Sequence, residues 1–505
     1  MDSRESKTHD TINNDQTSSI SGPKEVVGHE VPHHTYDPAL EKRVRWKIDL
    51  AIIPLAALIF LFCFIDRANI GNARLAGLEA DLGMSGYDFN SVNSIFFVSY
   101  IIFEIPSNIM CKVVGPGYWL PGLTIAFGGL TVAAAYVNNY DQLAALRFLL
   151  GIFEAGVMPG LSYYLSRWYR HAELTFRLSL YIVMAPLAGA FGGLLASAIL
   201  RLPAIGAKVP SGSWRAIFVV EGIITIGVGL ITMVILTDRP DTARFLTPEE
   251  REVAVNRLKE ERVGTHQLLD KISKRKLLKG AINPVTAMTS IVFMFCSLSI
   301  QGLALFAPTL VRSIYPNESV IRQQLLTVPP YAVGAVCLLT MCFSSWKFNN
   351  RQIFIIACGP PMMIGYLIFL VTDHTQTTAR FAAIFFMAST SFILGPLCHS
   401  QSSANVSSDT ARSMSIAICM FFGNIGSLVS TWSFLPTDQP NYPIGCGLNF
   451  ATSTLILLVA LAGWFWMRWD NKKRDSIDTD AELAGLTAEE AEQLEWKHPA
   501  FRWRI

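Results

Sequence analysis

Long apolar runs alternate with short polar breaks from residue 47 to residue 468. A helix that crosses ~30 Å of hydrocarbon at ~1.5 Å per residue needs ~20 mostly apolar residues. Backbone groups in lipid must be satisfied within their own segment, so runs of this length are helices. Twelve runs qualify: 47–68, 89–112, 117–137, 142–168, 175–201, 214–236, 284–313, 323–343, 351–371, 377–401, 411–434 and 445–468. The pattern predicts an all-α membrane protein of twelve transmembrane helices.

The polar stretches divide the chain. Residues 1–45 are rich in Ser, Thr, Asp, Asn and His, with no apolar run, and predict a disordered tail. Residues 237–282 are charged and helix-prone, and read as a linker between two groups of six spans, 46–236 and 283–468. Within the linker, Thr247 is followed three residues later by Glu250, the pattern of a capping box. Residues 469–505 form a second polar tail.

The two groups resemble each other. Arg147-Phe148 opens span four and Arg380-Phe381 opens span ten, an offset of 380 − 147 = 233. Arg177 opens span five and Arg412 opens span eleven, an offset of 412 − 177 = 235. Matched offsets predict two pseudo-symmetric six-helix bundles related by an axis along the membrane normal. Gly-rich runs follow each second Arg. Gly189, Gly192, Gly193, Gly423 and Gly426 let helices approach closely, either for static packing or for rocking of one bundle on the other.

Composition narrows the class. The chain is 51% hydrophobic and 16% charged, with a mean hydropathy of +0.36. A soluble domain carries ~25% charged residues, so the deficit marks a lipid-facing surface. A net charge of +2 implies no nucleic-acid or other strongly charged partner. Nine cysteines, without a CxxC pair, read as small core hydrophobes. No GxSxG, Walker loop, HExxH or His/Cys metal spacing is present. The sequence therefore predicts neither an enzyme nor a cofactor, metal site or nucleotide-driven pump, and an ion gradient is left as the driving force.

Lys and Arg placement sets the orientation. Lys42, Arg43, Arg45 and Lys47 precede span one, Arg167, Arg170 and Arg177 flank the turn between spans four and five, and Lys472, Lys473 and Arg474 follow span twelve. The loops 137–141 and 435–444 contain none. Both termini and the linker are predicted to be cytoplasmic, in a multi-pass membrane protein. The sequon at Asn317 then faces outward as a glycosylation candidate, and that at Asn405 faces the cytoplasm and is silent.

Ionisable groups at membrane depth are costly and mark function. Arg147 and Glu154 lie seven residues apart in span four, ~10 Å along one face. They read either as an anion site beside a proton site or as a permanent ion pair. Asp66-Arg67 ends the apolar part of span one; the pair is deep only if the helix continues past Ala68, and otherwise snorkels to water. Glu104 in span two suits a gate or a bundle contact. Glu221 in span six is equally compatible with a structural and a functional role.

The runs FIDRANIGNARLAGLEADLGM, SIFFVSYIIFEIPSNIM and LRFLLGIFEAGVMPGLSYYLSRWY resemble the major facilitator superfamily, and within it the anion:cation symporter family, in the fungal branch of allantoate and nicotinic acid permeases. TDRPDTARFLTPEER, LLTVPPY, FFGNIG and HPAFRW add to the likeness. The resemblance implies proton-coupled symport of a small organic anion, usually a carboxylate, by a monomer in a lipid bilayer. It implies substrate binding by Arg67, Arg147 and Tyr100, and proton uptake by Asp66 and Glu154. Gln401, which stands where the family usually has Trp, and Asn424 of FFGNIG are further expected substrate contacts. Ala404 and Ser408 also depart from the family pattern and mark the substrate as atypical, and Ser345, where Asp is common in the loop after span eight, marks a weaker gate. The alternatives are a proton-antiport exporter, suggested by MAPLAGAFGG in span five, and a nutrient sensor with a transporter fold.

Overall fold

The computed structural model describes residues 38–169, 177, 178, 180–205, 209, 210, 212–263, 274–373, 375–478, 482 and 494–505. Most of the expected amino-terminal tail, Arg170 and the linker segment 264–273 lie outside these residues. Every regular element among them is helical. The first half comprises α1 (Pro38–Leu75), α2 (Leu78–Asp81), α3 (Asp88–Val114), α4 (Pro116–Ala134), α5 (Tyr140–Glu154), α6 (Val157–Ser166), α7 (Met184–Ile199) and α8 (Trp214–Ile235). The linker contributes α9 (Pro248–Val263) and α10 (Lys274–Ala281). The second half comprises α11 (Pro284–Ile314), α12 (Val320–Phe348), α13 (Arg351–Val371), α14 (Thr377–Ser391), α15 (Leu394–Ala404), α16 (Asp409–Ser430) and α17 (Pro443–Arg474).

Eleven segments are long and apolar enough to cross a membrane, with α5 and α6 counted as one and α14 and α15 as another. The twelfth expected span, α4, is 19 residues long and contains a second Pro at Pro121. Its prolines and glycines lower its hydropathy, yet at ~1.5 Å per residue it reaches ~28 Å. Helix starts are set by side chains that accept from otherwise orphaned amides: Asn139 from Gln142 N at 3.0 Å, Asn283 from Val285 N at 2.8 Å and Asn350 from Ile353 N at 3.2 Å.

The duplication appears in the packing. Spans four and ten each break after a first piece of 15 residues, α5 and α14. In each case a Pro follows within the first turn of the next piece, Pro159 or Pro396, where its missing N–H removes a bond of the continuous helix. The neighbours match as well. α4 packs on α8 as α13 packs on α17, and α1 packs on α7 as α11 packs on α16. The bundles meet along α7 against α12 and α3 against α16, which are equivalent pairs, and along α1 against α11. A Cβ on Gly189 would sit 2.7 Å from the Tyr331 ring, and one on Gly193 would sit 2.7 Å from Thr327 Oγ1. The expected close approach of these helices is therefore a seam between bundles, whereas Gly423 and Gly426 press on α11 within the second bundle.

Hydrogen bonds across the seam cluster toward the face opposite the linker. Asn90 Nδ2 donates to Thr431 O at 2.5 Å, Ser94 Oγ and Thr431 Oγ1 lie 2.7 Å apart, and Trp432 Nε1 donates to Ser94 Oγ at 2.8 Å. On the linker side the capping box forms as expected: Thr247 N donates to Glu250 Oε2 at 3.1 Å, and Glu250 N to Thr247 Oγ1 at 3.3 Å. Lys47 Nζ also donates to Glu250, at 2.6 and 2.8 Å, and ties α9 to α1. Arg43 adds a looser contact at 3.8 Å. Burdened with these donors, chiefly Lys47, the Glu250 carboxyl is held below its ordinary range. The carboxy-terminal residues fold back under the second bundle. Trp503 Nε1 donates to Asp470 Oδ2 at 2.7 Å, and Glu495 accepts from Ser407 N and Ser408 N at 3.2 Å each.

Candidate functional site

α1 continues without interruption to Leu75, so Asp66 and Arg67 are inside the helix and within the bundle. That resolves the depth question left by the sequence. Asp66 is 3% exposed, and its Oδ1 accepts from Thr131 Oγ1 at 2.6 Å. Arg67 lies one residue on, with its guanidinium carbon 4.8, 5.2 and 5.7 Å from the ring centres of Tyr100, Phe64 and Phe96. Three π-faces around one cation make a socket that favours a fixed positive charge.

Span four supplies the partner. Arg67 Nε donates to Glu154 Oε2 at 2.7 Å, with side chains 11% and 0% exposed. Cys63, one turn before Arg67, donates from Sγ to the same oxygen at 3.4 Å. The Asp66 and Glu154 carboxyl groups lie within electrostatic reach of each other.

Arg147 does not take Glu154 as an ion-pair partner; Arg67 does. Seven residues of rise carry Arg147 toward the opposite face, where it is 4% exposed. There it lines a cavity of about 10 Å³ together with Asp66, Thr131 and Phe218. The permanent Arg147–Glu154 pair considered from spacing is therefore absent from this arrangement. Arg147 instead stands in electrostatic reach of both Asp66 and Glu154.

On α3, Tyr100 lies beneath the Arg67 guanidinium, and Glu104 follows one turn later. Asn424 Nδ2, on α16 of the other bundle, donates to Glu104 Oε2 at 2.7 Å. Asn424 thus reaches the same seam as Arg67 and Tyr100, and Glu104 is the bundle contact that the sequence suggested. Its nearness to Arg67 was not read from the sequence. The available signal was the four-residue spacing from Tyr100, which places both side chains on one face.

Two expected site residues lie elsewhere. Gln401 is fully buried near the end of α15, and its Nε2 donates to Arg504 O at 2.7 Å, so it anchors the carboxy-terminal tail. Asn317 is exposed in the turn between α11 and α12. Asn405 is buried and bonds Arg504 through both its amide nitrogen and its oxygen, at 3.0 and 2.8 Å, which closes that sequon to modification in this arrangement. All nine cysteines are free.

Two matched six-helix bundles, with charges buried in the first and turned toward the seam, have the architecture of a membrane transporter. The chain belongs to the Major Facilitator Superfamily, which it matches over residues 56–431. It is 31% identical to the MFS transporter prlL of a fungal species (strain NRRL 50135), across 86% of this chain and 88% of the relative. It is 27% identical to the high-affinity nicotinic acid transporter of Saccharomyces cerevisiae (strain ATCC 204508 / S288c), across 97% and 90%. Among solved structures it resembles a D-xylose-proton symporter, with a TM-score of 0.63 at 14% identity, over 82% of this chain and 97% of that one. That last likeness concerns the fold.

Proposed function

We propose that this chain is a proton-coupled importer of a small organic anion with a carboxylate group. The linker and both termini face the cytoplasm, and the membrane is the plasma membrane. The observation that carries this reading is the Arg67–Glu154 pair at 2.7 Å, set in an aromatic socket and adjoining Asp66. While Glu154 is ionised it occupies the guanidinium. Protonation of Glu154 frees the guanidinium for a substrate carboxylate, which Arg binds with two parallel hydrogen bonds. Substrate and proton then enter the site together, because each makes room for the other. Arg147 faces Asp66 across the small cavity of the first bundle, and Tyr100 and Asn424 offer polar contacts at the seam. The nicotinic acid transporter among the relatives is named for an organic acid, which supports an anionic substrate.

The test is uptake of a labelled panel of nicotinate, pantothenate, biotin, allantoate and short dicarboxylates. Cells express this chain or Glu154→Gln, at acidic and neutral external pH. The expected result is accumulation of one compound, stronger at acidic pH and independent of pH in the variant. Faster efflux of preloaded compound, with no accumulation of any, would overturn import and establish an exporter.

A further inference from the structure

Glu221 takes no part in the site described above. It lies in α8, seven residues from Trp214, and is 1% exposed. Neither of its carboxyl oxygens has a hydrogen-bond partner among the described residues. Most buried polar atoms have at least one partner, so two orphaned oxygens on one side chain call for an account. An ionised carboxylate without a cation is too costly to keep in such surroundings, so the group carries a proton here.

The charged surroundings are few. α8 packs chiefly on α4 and α1, and more lightly on α7. Neither α4 nor α7 contains Asp, Glu, Lys, Arg or His, and the α4 Tyr118 is exposed at the far end of its helix. From α1, Asp66 comes within electrostatic reach of Glu221. Phe218, one turn before Glu221, lines the small cavity that also touches Asp66, Thr131 and Arg147. At about 10 Å³, with these polar walls, the cavity has room for about one water.

Unpartnered carboxyl oxygens continue inward from there: Asp66 Oδ2, then Glu154 Oε1. Depth follows the same order. Glu221 is ~10 Å from the start of α8, Asp66 is ~13 Å from the end of α1, and Glu154 is ~21 Å from the start of α5, all counted from the face opposite the linker. We propose that Glu221 is a further proton-binding site, which feeds Asp66 and Glu154 through the interior of the first bundle. Protons and substrate then take separate routes, the proton within the bundle and the anion along the seam. Glu221 is not itself part of the cavity wall, so in the relay its carboxyl turns past Phe218 to give its proton to a water held there, which passes one of its own protons to Asp66. Asp66 hands its proton to Glu154, and Glu221 is reloaded from the face opposite the linker. Only O–H bonds break and form, and one proton moves per relay.

This inference rests on the proton-coupled reading, but its test needs no substrate. The measurement is pH-difference infrared spectroscopy of the full-length protein in lipid vesicles, with Glu221→Gln, Glu221→Asp and Asp66→Asn. In the unaltered protein the C=O band of buried protonated carboxyls falls as pH rises. Glu221→Gln removes one carboxyl's share of that titrating band, Glu221→Asp restores it, and Asp66→Asn keeps the Glu221 band while slowing its loss after a pH jump. A Glu221 band that stays constant with pH would identify a fixed neutral acid and overturn the proposal. So would the absence of any band lost in Glu221→Gln. Either result can occur while uptake remains pH-dependent, so the relay and the importer reading fail separately.

Discussion

Replacing Glu154 by Gln removes the charge opposite Arg67 and keeps the side chain's shape. The pair is 2.7 Å long and buried on both sides. Leaving one member of a buried ion pair uncompensated costs about 3–5 kcal/mol. The Gln amide oxygen still accepts from Arg67 Nε, and that neutral bond recovers about 1 kcal/mol. The aromatic socket is present with or without Glu154 and cancels. Glu154→Gln is therefore expected to destabilise the protein by about 2–4 kcal/mol. Arg67→Met in the same chain removes the stranded charge, so the double variant should recover most of that loss, with a coupling energy of about 2 kcal/mol or more. The assay is equilibrium unfolding of the unaltered protein, both single variants and the double variant in mixed micelles. Costs that add to within about 0.5 kcal/mol would show that the two side chains do not depend on each other, and the mechanism built on their exchange would fall.

Other consequences are open to direct measurement. Asn424→Ala deletes the charge-assisted bond to Glu104, worth about 1.5–3 kcal/mol, and should shift the balance between conformers about ten- to a hundredfold. Spin-label distances between Val113 and Trp346, both exposed at the linker-side ends of their helices, should then shorten as the bundles rock. The Glu250 carboxyl is held below its ordinary range chiefly by Lys47, so its contribution is fully present above the unfolded carboxylate value of about 4.3. That contribution is lost only as pH falls through the lower folded value. Hydrogen exchange of α9 should therefore stay protected at neutral and mildly acidic pH, and Glu250→Gln should raise it at neutral pH. Trp503→Ala empties a buried aromatic site at a cost of about 3–5 kcal/mol, which should expose residues 494–505 to limited proteolysis without unfolding the bundles.

The spans were legible because crossing hydrocarbon demands apolar length, and length survives without an alignment. Their ends were less legible. Hydropathy marks where lipid begins and stops, whereas helices end where a cap or a turn takes over. α1 starts at Pro38 and runs to Leu75, beyond the expected 47–68 at both ends, and the extra turns at its far end are what bury Asp66. The charged residues were visible as chemistry without their pairings. Spacing put Arg147 and Glu154 on one face of one helix, but which cation meets Glu154 depends on how α1 is rotated against span four, and no single-helix periodicity contains that. Gln401 shows the same gap. It was aligned to a cavity position, while the structure gives it to the carbonyl of Arg504, more than 100 residues later in the chain.

A last step follows from setting the two bundles side by side. The scaffold is duplicated, with equivalent breaks and equivalent neighbours, and Arg380 is buried in span ten as Arg147 is in span four, but the buried carboxylates of the spans are not duplicated. Asp66, Arg67, Glu104, Arg147, Glu154 and Glu221 all belong to the first bundle. In the second, Asp and Glu occur in the transmembrane helices only near their ends, at Asp409 and Asp470, and the seam residue that meets the charged wall is the neutral Asn424. On the proposed reading, an anion entering the seam finds Arg67 on one wall and hydrogen-bonding groups such as Asn424 on the other. On the same reading, protonation of the carboxylates changes the charge of the first wall, and with it how strongly that wall holds the substrate. The Glu104–Asn424 bond is where the charged wall touches the neutral one at the depth of the site. On the proposed reading, a change in charge around Arg67 reaches the second bundle through that bond as well as through α1 packed on α11, so the bond is one contact by which protonation in one bundle can bias the rocking of both.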